Sequence, residues 1–294
     1  MSSLATFAPV LDAVRGIDWP ALRRVSSAVA GPHLSRVRGT TAEFVEHRPY
    51  QQGDEPKRID WKLVARTDRV FVRLSQERTV LPTMVVLDAS ASMAFPAPAN
   101  DKWELARKLG IGLAEVARQR GDPAGMMVVH AGGTRTVEPR TRRTVLEEML
   151  HAVELAPSGS ELIAPAARAA MRHCARLAVI TDFLGDAEEL LAAGRTFVAA
   201  GGELYVIHVV AAEELEPDPK KLLLTDPEDP LLRRPMSRSA RTEYLRRFAA
   251  WREELAHDWR RVGAIYSMVV PRAEPMRAMV RRITAPAGAA TAPR

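Results

Sequence analysis

The chain has 294 residues, 47% hydrophobic and 27% charged, with a formal net charge of +6 and one cysteine, Cys174. That length and composition accommodate one large α/β domain with a smaller appendage and exclude a disordered chain. The lone cysteine excludes an intrachain disulfide and a cysteine-based zinc site, and no apolar run approaches the roughly 18 residues of a membrane helix: LYVIHVVAA at 204–212 is about half that and is bounded by charge.

From the N-terminus, Leu4, Phe7, Val10, Leu11 and Val14 are spaced as a helical stripe without an early basic cluster, which is not the pattern of a signal peptide and leads to the expectation of a cytoplasmic protein. Residues 1–30 read as two short helices broken at Trp19 and Pro20. Residues 31–81 are rich in Arg, Asp, Gly and Thr, with an alternating strand-like stretch RVFVRL at 69–74. From 82 onward, apolar strands alternate with amphipathic helices in the rhythm of a parallel α/β sheet. The strands are expected at 83–88, 125–131, 134–138, 176–181, 203–210 and 264–270. The helices are expected at about 101–120, 141–155, 162–174, 186–200 and 238–261. HAGGTRT reads as a hairpin turn, which makes the third strand an antiparallel edge. The expected organisation is an N-terminal α+β extension over 1–81, a domain over 82–275 interrupted by a proline-rich excursion at 212–237, and a basic disordered tail over 276–294. Residues 238–294 carry 12 Arg against 5 acidic residues, whereas residues 1–237 carry 30 Lys plus Arg against 31 Asp plus Glu. The basic character therefore belongs to the C-terminus.

In an open parallel sheet, loops at the carboxyl ends of strands gather around a ligand where strand order reverses. Asp88 ends the strand TMVVLD and is followed by Ser90 and Ser92 with alanines between; Asp182 follows the strand RLAVIT; Ser160 stands in the polar loop PSGSEL before a helix. Two carboxylates and three hydroxyls offer only hard oxygen ligands, which suits Mg²⁺ or Mn²⁺ and does not suit zinc or copper. The bland alternative is that Ser90 and Ser92 cap a turn or a helix start.

The stretch DASAS resembles the D-x-S-x-S signature of the metal-ion-dependent adhesion site in von Willebrand factor A domains, with Ser160 where that family usually has threonine and Asp182 at its last ligand position. More narrowly, EFVEHRPYQQGDEPKRIDWKLVARTDRVFVR at 43–73 is similar to the signature of the bacterial "domain of unknown function 58" family, through Arg48, Tyr50, Gly53, Asp54, Arg58, Ile59, Asp60, Trp61, Ala65 and Arg66. GPHLSRVRG, KWELARKLG and GDPAGMMVV also match. The resemblance implies a Rossmann-like sheet of order 3-2-1-4-5-6 with helices on both faces. It also implies an ion held by Asp88, Ser90, Ser92, Ser160 and Asp182, with one coordination position open for a partner's acidic side chain. As partner it implies a MoxR-type AAA+ ATPase, the pair acting as a chaperone-like system on an acidic client protein. The charged signature residues Arg48, Tyr50, Asp54, Arg58, Asp60, Trp61 and Arg66 are candidates for a partner surface, against the plainer reading of arginine–aspartate pairs on an inter-domain seam.

Two other functions stand beside this one. Asp88 resembles the strand-end nucleophile of Mg²⁺ phosphotransferases, but Ser90 replaces the second acid expected two residues later, and no phosphate-binding, nucleophile-elbow or zinc-protease motif occurs; a non-enzymatic role is expected. Nucleic-acid binding through the C-terminal arginines lacks the interleaved aromatics or recognised module it would want. His130 and His208 lie inside apolar strands as core histidines, and His173 beside Cys174 has no third group to orient it.

Overall fold

The computed structural model describes residues 3–22, 42–51, 54, 56, 59–67, 69–77, 80–160, 162–218, 223–225, 233–235 and 237–285. The chain divides into two units, residues 24–80 and the remainder. Helix α1 (Ser3–Ala13) belongs to the larger one.

In the smaller unit, strands β1 (Ala42–Pro49) and β2 (Phe71–Glu77) pair antiparallel, with Pro49 opposite Phe71 and a register shift between Phe44 and Glu46. Helix α2 (Trp61–Thr67) lies between them in sequence. Asp60 starts this helix: its Oδ1 accepts the amides of Lys62 and Leu63 at 3.1 and 3.2 Å, which satisfies donors that a first turn leaves open.

The larger unit is built on a six-stranded sheet of β3 (Thr83–Asp88), β4 (Ala124–His130), β5 (Gly133–Arg140), β6 (Arg176–Thr181), β7 (Glu203–Val209) and a last strand, Ile265–Val269. Counted along the chain its order is 3-2-1-4-5-6, with all neighbours parallel except the β4–β5 hairpin. Strands β3, β6 and β7 are buried along their whole length, and their apolar residues alternate between two cores. Val85, Leu87, Met126, Val128, Ala178, Ile180 and Ile207 face one. Met84, Val86, Met127, Val129, Leu177, Val179 and Val206 face the other. Such continuous runs belong to sheets covered on both faces. The first face is covered by α1, α3 (Asp101–Gln119) and α4 (Thr144–Ala152), the second by α5 (Ile163–Met171) and α6 (Ala187–Ala199). After a one-turn helix α7 (Ala212–Leu215) and a ribbon of β8 (Leu223–Thr225) and β9 (Arg233–Pro235), helix α8 (Arg238–Arg261) returns to the second face and leads into β10, the Ile265–Val269 strand. Helix α9 (Met276–Thr284) closes the first face. Among the described residues no helix is long and apolar enough to cross a membrane.

Two expectations about organisation change. The N-terminal stripe is not part of an extension: Phe7, Val10 and Val14 are buried in the larger unit's core, and Gly112 of α3 lets the helices approach, because a β-carbon there would lie 3.3 Å from Val14 and 3.7 Å from Val280 of α9. Of the second expected helix, beyond the break at Trp19 and Pro20, residues 20–22 are not helical and residues 23–30 fall outside the described residues. The stretch from 276 is a helix, since Met279, Val280 and Ile283 supply a buried stripe at helical spacing between exposed arginines; the tail from 286 lies outside the described residues.

A buried cation organises the amino edge of the sheet. Arg176, fully enclosed at the start of β6, donates to Glu203 at 2.9 Å and to the Pro20 carbonyl at 3.0 Å, and lies 4.5 Å from the centre of the Trp19 ring. Glu203 accepts the amide of Leu22 at 2.6 Å, and Asp122, 3.8 Å from Arg176, accepts the amide of Leu81 at 3.1 Å. Removing one member of such a cluster strands the others without solvent. Arg176→Ala is therefore expected to destabilise the fold by about 3–5 kcal/mol, read as a lowered midpoint in urea denaturation.

Candidate functional site

Strand β3 leads through a 3-10 turn at Ala91–Ala94 to α3 on the first face, and β6 leads to α6 on the second. The loops after these two neighbouring strands therefore diverge and leave a crevice at the carboxyl edge of the sheet. A cavity of about 310 Å³ lies there, lined by Asp88, Ser90, Ser92, Ser160, Thr181 and Asp186 on its polar side and by Leu162, Ile163, Phe183, Ala187 and Leu190 on its apolar side.

The loop that carries the serines is fixed by backbone bonds. Ala89 accepts from the Ser158 amide at 2.9 Å, and Ala91 donates to the Gly159 carbonyl at 2.8 Å. Small residues at 89 and 91 let the 157–160 loop lie alongside. Gly159 adopts φ +76°, and a β-carbon on it would lie 2.6 Å from that of Ala131, so only glycine fits there. This contact presents Ser160 to the cavity. Ser90 precedes the 3-10 turn, yet its side chain makes no cap hydrogen bond. Its hydroxyl instead lies 3.1 Å from that of Ser92, which answers the capping alternative.

Asp88 is buried. Its Oδ1 accepts the Ser90 amide at 2.9 Å and its Oδ2 the Thr181 hydroxyl at 2.6 Å. Burial, and then the Asp182 carboxylate, push its pKa up to about 6 against the lowering effect of those hydrogen bonds. The groups that favour its charged form are hydroxyls and an amide.

Asp182 is placed differently from the other four expected ligands. It is buried behind the cavity and is not among its lining residues. Its Oδ2 accepts the Lys102 ammonium at 2.6 Å, and its Oδ1 the Leu184 amide at 3.2 Å. Lys102, fully enclosed in the first turn of α3, also donates to Glu214 at 3.0 Å. Burial acts to lower its pKa, but Asp182 and Glu214 outweigh it and hold the ammonium above its ordinary value. Between Asp182 and Leu184, Phe183 adopts φ +60°, an uncommon conformation for a large residue. Its buried ring packs edge-on to His208 at 5.3 Å, and the Thr181 hydroxyl accepts its amide at 3.1 Å. A second lining carboxylate, Asp186, accepts the amides of Ile163 and Ala164 at 3.3 and 2.6 Å, which ties the α5 start to the loop after β6. Sequence reasoning missed Lys102, Thr181 and Asp186; Thr181 alone had a signal, as a hydroxyl adjoining Asp182 at a strand end.

Among the described residues no three His, Cys, Asp or Glu side chains come together as a metal cluster. The donor set is the Asp88 carboxylate with three serine hydroxyls, beside a second lining carboxylate, Asp186, that is engaged by two amides, and its chemistry fits a hard divalent ion that tolerates water in its shell. The histidines take no part: His208 is buried against the Tyr266 hydroxyl at 2.7 Å with its pKa pushed down to about 3 by burial, and His130 accepts the Gly132 amide at 3.0 Å. Burial pushes the Cys174 thiol up to about 12, so it carries no reactive thiolate.

In the smaller unit, Arg48 pairs with Asp54 at 2.7 Å and Asp60 caps α2, whereas Tyr50, Trp61 and Arg66 are exposed, Trp61 by 66%. Arg58 lies outside the described residues.

The profile of the family described as "Protein of unknown function DUF58" matches residues 46–254, and the chain belongs to that family. Uncharacterized proteins Rv1480 of Mycobacterium tuberculosis and Mb1516 of Mycobacterium bovis are 28% identical to it over 261 residues, 86% of this chain and 82% of theirs. Among solved structures, the conserved hypothetical protein BatB from Bacteroides thetaiotaomicron is similar at 20% identity and a TM-score of 0.44, over 69% of this chain and 96% of that one. The SpRpn10 VWA domain is similar at 11% identity and a TM-score of 0.40, over 69% and 95%. Scores this low carry no argument about the site.

The surroundings of Asp88 predict its titration. Followed by carboxyl-carbon NMR in metal-free protein, it should have a midpoint near 6, and Asp182→Asn should lower that midpoint by removing the neighbouring negative charge.

Proposed function

We propose that this member of the DUF58 family is a non-enzymatic, metal-dependent protein-interaction module of the von Willebrand factor A type. The observation that carries the reading is the convergence of Asp88, Ser90, Ser92 and Ser160 on one cavity between two diverging loops. Mg²⁺ or Mn²⁺ would be held there by Asp88 and the three hydroxyls, with Asp182 behind them acting through water or through its field. An ion with neutral hydroxyls in its shell stays under-neutralised, so a carboxylate from a partner completes its charge. The proposed partner is a MoxR-type AAA+ ATPase acting on an acidic client, and the proposed location is the cytoplasm.

Two features favour binding over hydrolysis. Position 90 holds a serine hydroxyl where a phosphotransferase of this type needs an acid, and the nearby acids are engaged, Asp182 by Lys102 and Asp186 by the start of α5. Several C-terminal arginines likewise serve the fold: Arg252 lies over Phe248, Arg260 over Tyr266, and Arg277 donates to the Ala13 carbonyl. This weighs against a nucleic-acid surface.

Calorimetry with Mn²⁺ should show one ion per chain for the wild type and none for Asp88→Ala, and EDTA should abolish capture of the ATPase without changing the circular-dichroism spectrum. Capture that survives EDTA and Asp88→Ala would refute the reading. Leu162 and Leu184 are 50% and 54% exposed, and Leu162 lines the cavity. They are suited to receive an apolar neighbour of the partner's acidic residue. Replacing both by serine should weaken capture roughly tenfold while Mn²⁺ affinity stays at the wild-type value.

A further inference from the structure

Lysine 102 is the one residue of the site whose chemistry runs against metal binding. A fully enclosed ammonium is costly where a methionine would pack, and it is kept only by good partners. Lys102 has two, Asp182 at 2.6 Å and Glu214 at 3.0 Å. Both partners are themselves placed by the backbone: Asp182 accepts the Leu184 amide and Glu214 accepts the Ala211 amide at 2.6 Å. The geometry is therefore not that of a long side chain reaching out to whatever acid is near. The turn after β6 and the one-turn helix α7 after β7 each present a carboxylate to the same nitrogen. One of these carboxylates is close enough to Asp88 to disfavour its ionised form.

We infer that Lys102 is a charge-setting positioning residue: its ammonium withholds Asp182 and Glu214 from a divalent ion at Asp88, so that the ion keeps charge for an incoming carboxylate. This rests on the metal-dependent reading above. The sign follows from Coulomb's law in a partly dry site. With the ammonium present, the ion faces Asp88, hydroxyls and the amide-bound Asp186, with Asp182 and Glu214 partly cancelled. Without it, Asp182 and Glu214 add their charge to that set. Binding of the ion becomes tighter, and its attraction for a further anion weaker. The wild-type arrangement trades ion affinity for strength toward the partner.

A purely structural ion pair and a charge-setting one make different predictions. If Lys102 only braces the loops, loosening them by any substitution in the trio should weaken Mn²⁺ binding. If it sets the charge, the two ends of the trio should act in opposite directions. Calorimetry with Mn²⁺ on the full chain should then give a dissociation constant about tenfold lower for Lys102→Gln and a few-fold higher for Glu214→Gln, with Asp88→Ala as the control that abolishes binding. The rise in melting temperature on adding Mn²⁺ should be larger for Lys102→Gln than for the wild type. Affinity that is unchanged or weaker in Lys102→Gln, or unchanged or tighter in Glu214→Gln, overturns the inference and leaves the metal site intact. Absence of Mn²⁺ binding in the wild type overturns the reading of the site itself. Should Lys102→Gln fail to fold, Lys102→Met, uncharged and of similar length, takes its place with the same expected tightening, because Glu214→Gln weakens binding on either reading.

Discussion

The ion pair between Lys102 and Asp182 is the interaction on which the carboxyl edge of the sheet depends. An ammonium and a carboxylate, both buried, hold together only if each is held in place by its own surroundings. Lys102 is placed by the first turn of α3 and Asp182 by the end of β6, residues 80 apart in sequence. The Glu214 carboxylate brings in the segment after β7, and the Tyr244 hydroxyl donates to the Glu214 carbonyl at 3.1 Å, which adds α8. Four elements are thus fixed by one cation. The position of Phe183, and with it the apolar wall of the cavity, follows from where Asp182 is anchored.

The amino edge repeats the device with a different cation. Arg176 gathers Glu203 and Asp122, and these acids take the amides of Leu22 and Leu81. Leu81 is the first residue of the larger unit after the segment 24–80, and Leu22 stands two residues before that segment. Guanidinium suits this place because it stacks on the Trp19 ring while its nitrogens fork toward several oxygens. Ammonium suits the other edge, where a compact charge satisfies two carboxylates. A buried cation at each edge leaves the apolar strands between them to supply the cohesion, and leaves the serine loop, held by small residues and backbone bonds, to change chemically without loss of the fold.

The strands and most helices were legible because a sheet covered on both faces needs short continuous apolar runs and the covering helices impose their own period on the stripes that face it. Asp88, Ser90, Ser92 and Ser160 were legible for a related reason: each follows or precedes an element whose end could be located. Asp182 was found by the same logic, but its partner was not. Lys102 stands in DKWELARK, where it reads as a solvated residue in a helix's first turn, and nothing local in a sequence signals an ion pair across 80 residues. Helix α9 was hidden by its arginines, since Met279, Val280 and Ile283 form a narrow stripe in an otherwise basic segment. The N-terminal stripe was visible, but not which core it joined, since the close approach of Val10 and Val14 to Gly112 exists only once α1 is packed on α3.

Hydroxyls and carboxylates are not interchangeable in a site of this kind. A cavity walled by several carboxylates would hold a divalent ion tightly and leave it electrically satisfied, suited to structure or storage. Here serines take most of the positions, and the acids Asp182 and Asp186 are engaged, one by an ammonium and one by the amides at the start of α5. Asp88 remains as the charged donor, in surroundings that favour its neutral form. The protein thus limits the negative charge it offers. An ion bound under those terms attracts a further anion most strongly on the side of lower polarity, which is the side walled by Leu162, Ile163 and Phe183. On the proposed reading, the apolar wall and the withheld carboxylates serve one end: they place the unmet charge of the ion where a partner's acidic side chain, flanked by an apolar neighbour, can reach it.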